Sequence, residues 1–254
     1  MENYHPTSLT CSCCKSFETV IKNSLLEYFQ TNKLISPAQH GFLAKHSTCT
    51  NLLEALNDWT DGLNSSRDTL VLYVDFARAF DSVSIPKLIH KLNCIGIHGN
   101  LLSCIQALLS NRSQRVKVGS SHSSTRTIVS GVPQGSVLGP ILFLVFVNDV
   151  VNYLPPEAKC KLFADDMKSY ITFINSDSYS LVPFMLDAIS SWSVAWQLPI
   201  SLAKCNWMLI SNRKNENIPF SVNLLGSCLD RIDEVKDLGI LFNSKLNFFR
   251  TYLN

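Results

Sequence analysis

Three aspartates stand at positions where carboxylates are costly unless they are used. Asp75 closes the β-prone run Thr69-Leu70-Val71-Leu72-Tyr73-Val74, and Asp165-Asp166 separates two short apolar runs, Cys160 to Ala164 and Ser169 to Ile174. A continuous apolar run of this length reads as a buried central strand, which leaves Asp75 as a charge at a strand end. The two later runs read as the arms of a hairpin with two acids at its tip. Taken alone, an Asp-Asp pair is an ordinary polar turn. Three carboxylates at neighbouring strand ends suit phosphoryl transfer, in which one cation serves the attacking oxygen and a second, roughly 3.5 to 4 Å away, the leaving oxygen. Mg2+ needs only a few carboxylates, because water and substrate phosphates fill its other positions.

The elements that would position these acids follow from periodicity. Phe17, Val20, Ile21, Leu25, Leu26 and Phe29 recur at helical spacing over Lys15 to Gln30, and Ser36-Pro37 breaks the pattern. A second helix starts near Ser47 or Thr48, whose hydroxyls can cap it, and runs through Leu52, Leu53, Leu56 and Trp59. After the strand that ends at Asp75, helices are expected around Ile85 to Leu92 and Asn100 to Leu109. Gln114 to Val118 and Thr125 to Val129 read as hairpin arms. Gly131-Val132-Pro133-Gln134-Gly135 reads as a loop leading into an apolar helix from Val137 to about Tyr153. A helix over Leu181 to Trp196, a strand at Trp207 to Ser211 and a last strand near Val235 to Phe242 complete the order. Strand, helices, hairpin, helix and strand in that succession suit an α+β sheet covered by helices on one face.

Composition adds limits. The chain has 254 residues, 46% hydrophobic and 17% charged, enough for one large domain or two intimate subdomains. The longest apolar run, Val137 to Val147, contains Gly139 and Pro140 and falls short of the roughly 20 residues that span a bilayer, so no membrane association is expected. Met1 to Pro6 is polar and no signal peptide follows. The nine cysteines are odd in number and mostly scattered singly, which points to reduced thiols and an intracellular setting, nuclear or cytoplasmic. Cys11 to Cys14 lacks a second Cys/His pair at zinc-knuckle spacing. A net charge of +2 is weak for a protein that holds a polyanion, and composition alone does not suggest one that does.

Three motifs change that balance: Val74-Asp75-Phe76-Ala77-Arg78-Ala79-Phe80-Asp81, Ser130-Gly131-Val132-Pro133-Gln134-Gly135-Ser136-Val137-Leu138-Gly139-Pro140, and Leu162-Phe163-Ala164-Asp165-Asp166. In this order they resemble motifs A, B and C of reverse transcriptases, especially those of non-LTR (LINE-like) retrotransposons. The likeness extends from Ser36-Pro37-Ala38-Gln39-His40-Gly41-Phe42 to Ala203-Lys204-Cys205 and Glu234-Val235-Lys236-Asp237-Leu238-Gly239, nearly the whole chain.

The resemblance implies a right-hand polymerase: fingers at residues 1–68 and 94–128, incomplete at the N-terminus, a palm of antiparallel sheet backed by helices at 69–93 and 129–242, and the start of a thumb at 243–254. It implies that Asp75 and Asp165 ligate two Mg2+ ions, with Mn2+ as the alternative, that Asp166 completes the cluster, and that the Phe76 carbonyl assists. Phe80 would be the steric gate against a 2′-hydroxyl, backbone amides from Ala77 through Arg78 and Ala79 to Phe80 would meet the triphosphate, and Gln134 with Gly135 would lie against the template base and incoming nucleotide. Lys204 would neutralise or protonate the departing pyrophosphate. The implied partners are an RNA template, a DNA primer and deoxynucleoside triphosphates; the oligomeric state is left open.

Two departures qualify the likeness. The family usually has arginine after Gly-Phe, where this chain has Leu43, so Lys45 or His46 would have to supply the charge. The chain also opens within the fingers and stops about where a thumb would begin. Beside an active RNA-directed DNA polymerase core, three readings stay open: an inactive retrotransposon relic, a palm-type RNA polymerase, which Phe80 opposes, and an RNA-binding module that keeps the fold.

Overall fold

The Thr69–Val74 strand is central, as its apolar run requires: Leu70, Val71 and Leu72 are fully buried and both edges of the strand are paired. The computed structural model describes residues 10–173, 176–213 and 220–246. In it a five-stranded sheet runs in the order Asp230–Arg231, Asn206–Ile210, Thr69–Val74, Asp166–Thr172, Lys159–Phe163. All neighbours are antiparallel except the short Asp230–Arg231 strand, which lies parallel to Asn206–Ile210. The register sets Val74 opposite Met167, and Tyr73 opposite both Lys168 and Asn206.

By packing, the chain divides into two compact units. One comprises Met1–Ser36, Arg78–Asn148 and Trp196–Leu198; the other comprises Pro37–Ala77, Asp149–Ala195 and Pro199–Asn254 and contains the whole sheet.

Cross-strand partners share a face of a sheet, so Val71, Tyr73, Lys168, Tyr170 and Met208 lie on one side. Helix Thr48–Asn64 covers one end of that side, started by a capping box in which the Ser47 hydroxyl accepts from the Thr50 N–H and the Thr50 hydroxyl from the Ser47 N–H. Its Trp59 packs against Tyr170 and Phe242, each 5.7 Å between ring centroids, in a core with Leu52, Ala55, Val71, Met208 and Ile210. Phe242 comes from a hairpin, Glu234–Asp237 with Ile240–Asn243, where the sequence pattern suggested one continuous strand. The turn at Leu238 and Gly239, both with positive φ, divides it. On the other side Met185 of helix Leu181–Trp196 meets Ser169.

In the first unit, helix Ile85–Cys94 packs on helices Gly99–Leu109 and Gly139–Val147. The latter is apolar on all sides and buried from Ile141 to Val147, as a helix inside a core must be. It continues as 3-10 turns over Asn148–Tyr153, so the expected single helix is two. Its start is held by Glu18 of helix Ser12–Thr31, whose buried carboxylate accepts the Val137 and Leu138 N–H groups at 2.8 and 2.9 Å. No helix among the described residues is long and apolar enough to cross a membrane, and all nine cysteines are free. The expected thumb start is described only to Leu246; residues 247–254 lie outside the described part.

Candidate active site

The carboxylates meet because of register. Extending the Val74–Met167 pairing by one residue sets Asp75 opposite Asp166, on the same side of the sheet as Tyr73 and Lys168. Phe163 pairs with Asp166, so Ala164 and Asp165 form a two-residue hairpin loop. Ala164 takes the left-handed conformation, φ 57°, in place of the glycine that such a turn favours. That strained turn is held from outside. Buried Gln39 accepts the Ala164 N–H through its Oε1 at 3.1 Å and the Gly41 N–H at 2.7 Å. The Ala38 carbonyl accepts from Leu162 at 2.8 Å, and the Leu162 carbonyl accepts from His40 at 2.9 Å and from the Asn51 amide at 3.0 Å. A Cβ on Gly41 would lie 2.4 Å from the Ala164 nitrogen. Gln39 and Gly41 are therefore structural members of the site that the motif of three acids does not reveal.

Asp75 is fixed through its backbone. Its carbonyl accepts from the Ser201 N–H at 2.8 Å, and its N–H donates to the Cys205 sulfur at 3.4 Å. The Ala77 N–H donates to the Pro199 carbonyl at 2.8 Å, so this amide, one of those expected to meet the triphosphate, is already engaged. Phe76, between them, bridges Ile200 and buries its ring against Trp192 at 5.7 Å. Because the flanking bonds come from Asp75 and Ala77, the Phe76 carbonyl is directed away from Ile200.

Asp75, Asp166 and Lys204 line one pocket of about 180 Å3, together with Tyr73, Lys168 and Asp237. Lys204 stands 3.5 Å from Asp75 Oδ1, with 69% of its side chain exposed. That same oxygen is buried and makes no hydrogen bond. Asp166 as a residue is exposed, yet its carboxyl is pushed up to about 6. Burial of the carboxyl is the main cause; repulsion from Asp165, Asp237 and Asp75 adds, and Lys168 opposes. Acids that repel each other beside an oxygen without a hydrogen bond form a cluster suited to cations. Among the described residues no three His, Cys, Asp or Glu side chains form a ready-made metal cage.

The pocket wall includes a pair that sequence reasoning did not find. Lys168 donates to Asp237, with the two side chains only 4% and 8% exposed. The pair ties the Glu234–Asn243 hairpin to the strand that begins at Asp166. Burial pushes the Lys168 ammonium down, against the pull of Asp237, and drives the Tyr73 hydroxyl, buried without a hydrogen-bond partner, well up. A lysine inside the run Met167 to Ile171 was the available signal.

The other expected residues, Phe76 and Asp165 among them, are not part of this pocket's lining. Lys45 is exposed, with φ 66°, and does not line it. Arg78, Ala79, Phe80, Gln134 and Gly135 belong to the first compact unit. There the half-buried Phe80 stacks on Phe143 at 4.5 Å, and its carbonyl accepts from the Val132 N–H at 2.8 Å. Ser130 donates to the Asp81 carbonyl at 2.8 Å, and Gly131 approaches so closely that a Cβ would lie 2.8 Å from the Asp81 backbone. The Gly131–Gly135 loop and the Ala79–Ser82 turn are thus one assembly. Arg78 enters it with φ 49° and Gly135 leaves it exposed, with φ 91°.

His40 gives the support segment a pH dependence. Its ring is buried, with Nδ1 at 2.9 Å from the Thr50 hydroxyl and Nε2 at 3.5 Å from Glu54 but without a hydrogen bond. Burial pushes its pKa down; Glu54 opposes, while His46 and Lys161 assist. The unfolded chain therefore binds this proton first, and stability contributed above about pH 6.5 is lost as pH falls through the lower native value. Thermal melts from pH 7.5 to 5.5 should fall more steeply for the wild type than for His40→Gln; parallel curves contradict this assignment.

Comparison with known proteins agrees with the geometry. A family model described as reverse transcriptase (RNA-dependent DNA polymerase) matches residues 1–242. The RNA-directed DNA polymerase from mobile element jockey of Drosophila melanogaster is 30% identical over 266 residues, covering 100% of this chain and 28% of the relative. Its counterpart from Drosophila funebris is 30% identical, covering 98% and 28%. The chain thus spans about 28% of the length of these curated relatives. Among solved structures, apo telomerase from Candida tropicalis superimposes with a TM-score of 0.63 at 10% identity, over 92% of this chain and 41% of that one. Telomerase from Candida albicans gives 0.59 at 13% identity, over 94% and 38%. These two likenesses concern the fold, which is that of polymerase fingers and palm. With the family match running through all three motifs and both supporting segments, the chain belongs to the reverse transcriptase (RNA-dependent DNA polymerase) family.

Proposed function

We propose that this chain is the polymerase core of a non-LTR retrotransposon protein that extends a DNA primer 3′-hydroxyl along an RNA template. The observation that carries the reading is the register that sets Asp75 opposite Asp166, beside an unbonded Asp75 oxygen and the Lys204 ammonium. Divalent cations serve the family generally, and the finer assignment is two Mg2+ ions held by Asp75 and Asp165, with Asp166 completing the cluster and the Phe76 carbonyl assisting. When bound, these ions lower the pKa of the primer hydroxyl and stabilise charge on the transferring phosphoryl group. The residues do the rest. Ser201 and Cys205 hold the Asp75 backbone, Gln39 holds the hairpin that carries Asp165, and Lys204 offers an exposed cation to the departing pyrophosphate. Free thiols throughout suit an intracellular setting.

The test is extension of a labelled DNA primer on an RNA template with Mg2+ and deoxynucleoside triphosphates, with Asp165→Ala as the blank. Product that requires both the metal and Asp165 is expected; its absence from folded protein sinks the reading.

Phe80 is assigned the sugar gate, its ring held in place by Phe143. Phe80→Ala should raise ribonucleotide incorporation relative to deoxyribonucleotide by roughly 10- to 100-fold, the range that one steric contact discriminates. Competition assays with the two nucleotides read this directly, and an unchanged ratio removes the assignment.

A further inference from the structure

The net charge of +2 conceals a segregation. From Ser82 to Asn148 there are six basic residues and no acidic one, whereas the remainder carries sixteen basic against twenty acidic residues. Half of those six, Arg115, Lys117 and Arg126, stand on one two-stranded ribbon of the first compact unit. Ser113–Gln114 pairs with Arg126–Thr127, Lys117–Val118 pairs with Ser121–His122, and Gly119 turns the tip with φ 59°. Every residue from Ser113 to Thr127 is exposed. Below the ribbon, Arg112 donates to the Gly131 and Leu109 carbonyls and fixes its root to the Gly131–Gly135 loop.

A two-stranded ribbon with both faces in water is marginal by itself, and this one also exposes Val116 and Val118, at 63% and 74%. Protection of an edge from aggregation would be served by charges of either sign. Here only cations occur, and Arg115, Lys117 and Arg126 make no ion pair among the described residues. Lys117 faces His122 across the strands, so their ring and ammonium donors share one side. Cations without an ion pair on an exposed ribbon suit a regular polyanion.

We propose that the Ser113–Thr127 ribbon is an electrostatic clamp on the phosphate backbone of single-stranded RNA, the template strand of the reading above, on which the choice of RNA rests. A single strand is chosen over a duplex because that reading supplies an unpaired template, whose backbone a positively charged surface can track. The contact is independent of base sequence, since side chains on phosphates carry no sequence information.

The test measures affinity of the full chain for a single-stranded RNA across a potassium chloride series, in EDTA and without nucleotides. Each cation engaged on a single strand contributes about 0.7 to the slope of log K against log salt. Arg115→Gln with Lys117→Gln and Arg126→Gln should flatten the slope by roughly 2, whereas Lys15→Gln with Lys22→Gln and Arg67→Gln, of equal charge change, should leave it nearly unchanged. An unaltered slope in the ribbon variant, equal flattening in both, or no RNA binding by the wild type overturns the proposal; the first would turn the ribbon toward a protein partner. Because no metal or nucleotide is present, a failed extension assay with the expected slopes would remove the polymerase reading and leave this clamp standing.

Discussion

Replacing Asp75 by Asn will cut primer extension by at least about 10^3-fold while leaving the melting temperature unchanged or raising it by roughly 1–3 °C. The activity loss follows from removing a carboxylate from the proposed cation site, where several kcal/mol of charge stabilisation are at stake and each ~1.4 kcal/mol is tenfold in rate. The stability result follows from geometry. Asp75 Oδ1 makes no hydrogen bond, and its partner Lys204 is too exposed for the ion pair to contribute much. Meanwhile Asp166 and Asp237 line the same pocket, Asp75 adds to the repulsion felt at Asp166, and Asn relieves that part of it. Extension kinetics and calorimetry on one preparation decide the matter. A joint collapse of activity and melting temperature would make Asp75 a structural residue.

The second large effect is expected at Lys168. Lys168→Met removes the cation from a buried pair and leaves Asp237 charged and largely out of water, a situation that typically costs about 3–5 kcal/mol. Adding Asp237→Leu should recover most of the loss, because an apolar pair of similar size often matches a buried ion pair. Urea unfolding of the two single variants and the double variant forms a thermodynamic cycle that isolates the coupling. If Lys168→Met alone stays within about 1 kcal/mol of wild type, the hairpin does not depend on this tie.

How much of this was legible in the sequence varies with the range of the interaction. The Thr69–Val74 strand and the Leu181–Trp196 helix coincide with their patterns because uninterrupted apolar runs are local signals. The acidic dyad was visible through its motif. Lys168 and Asp237 were not visible as a pair, since 69 residues separate them and only the register of the sheet and the fold of the last hairpin bring them together. The strands Asn223–Leu224, Ser227–Cys228 and Asp230–Arg231 escaped because two-residue strands are created by their partners and have no period of their own. The basic block was present in plain letters, and a whole-chain charge averaged it away.

The support of Ala164 by Gln39, with Gly41 pressed against it, has a consequence for genomes that hold many copies of such a sequence. The shape of the acidic turn is stored 125 residues before it. A copy that keeps Phe163 to Asp166 intact but acquires any side chain at position 41 has lost the seat on which those acids stand. Counting competent copies by their aspartates alone therefore overstates them, and a glutamine at 39 followed by glycine at 41 is the stricter census mark.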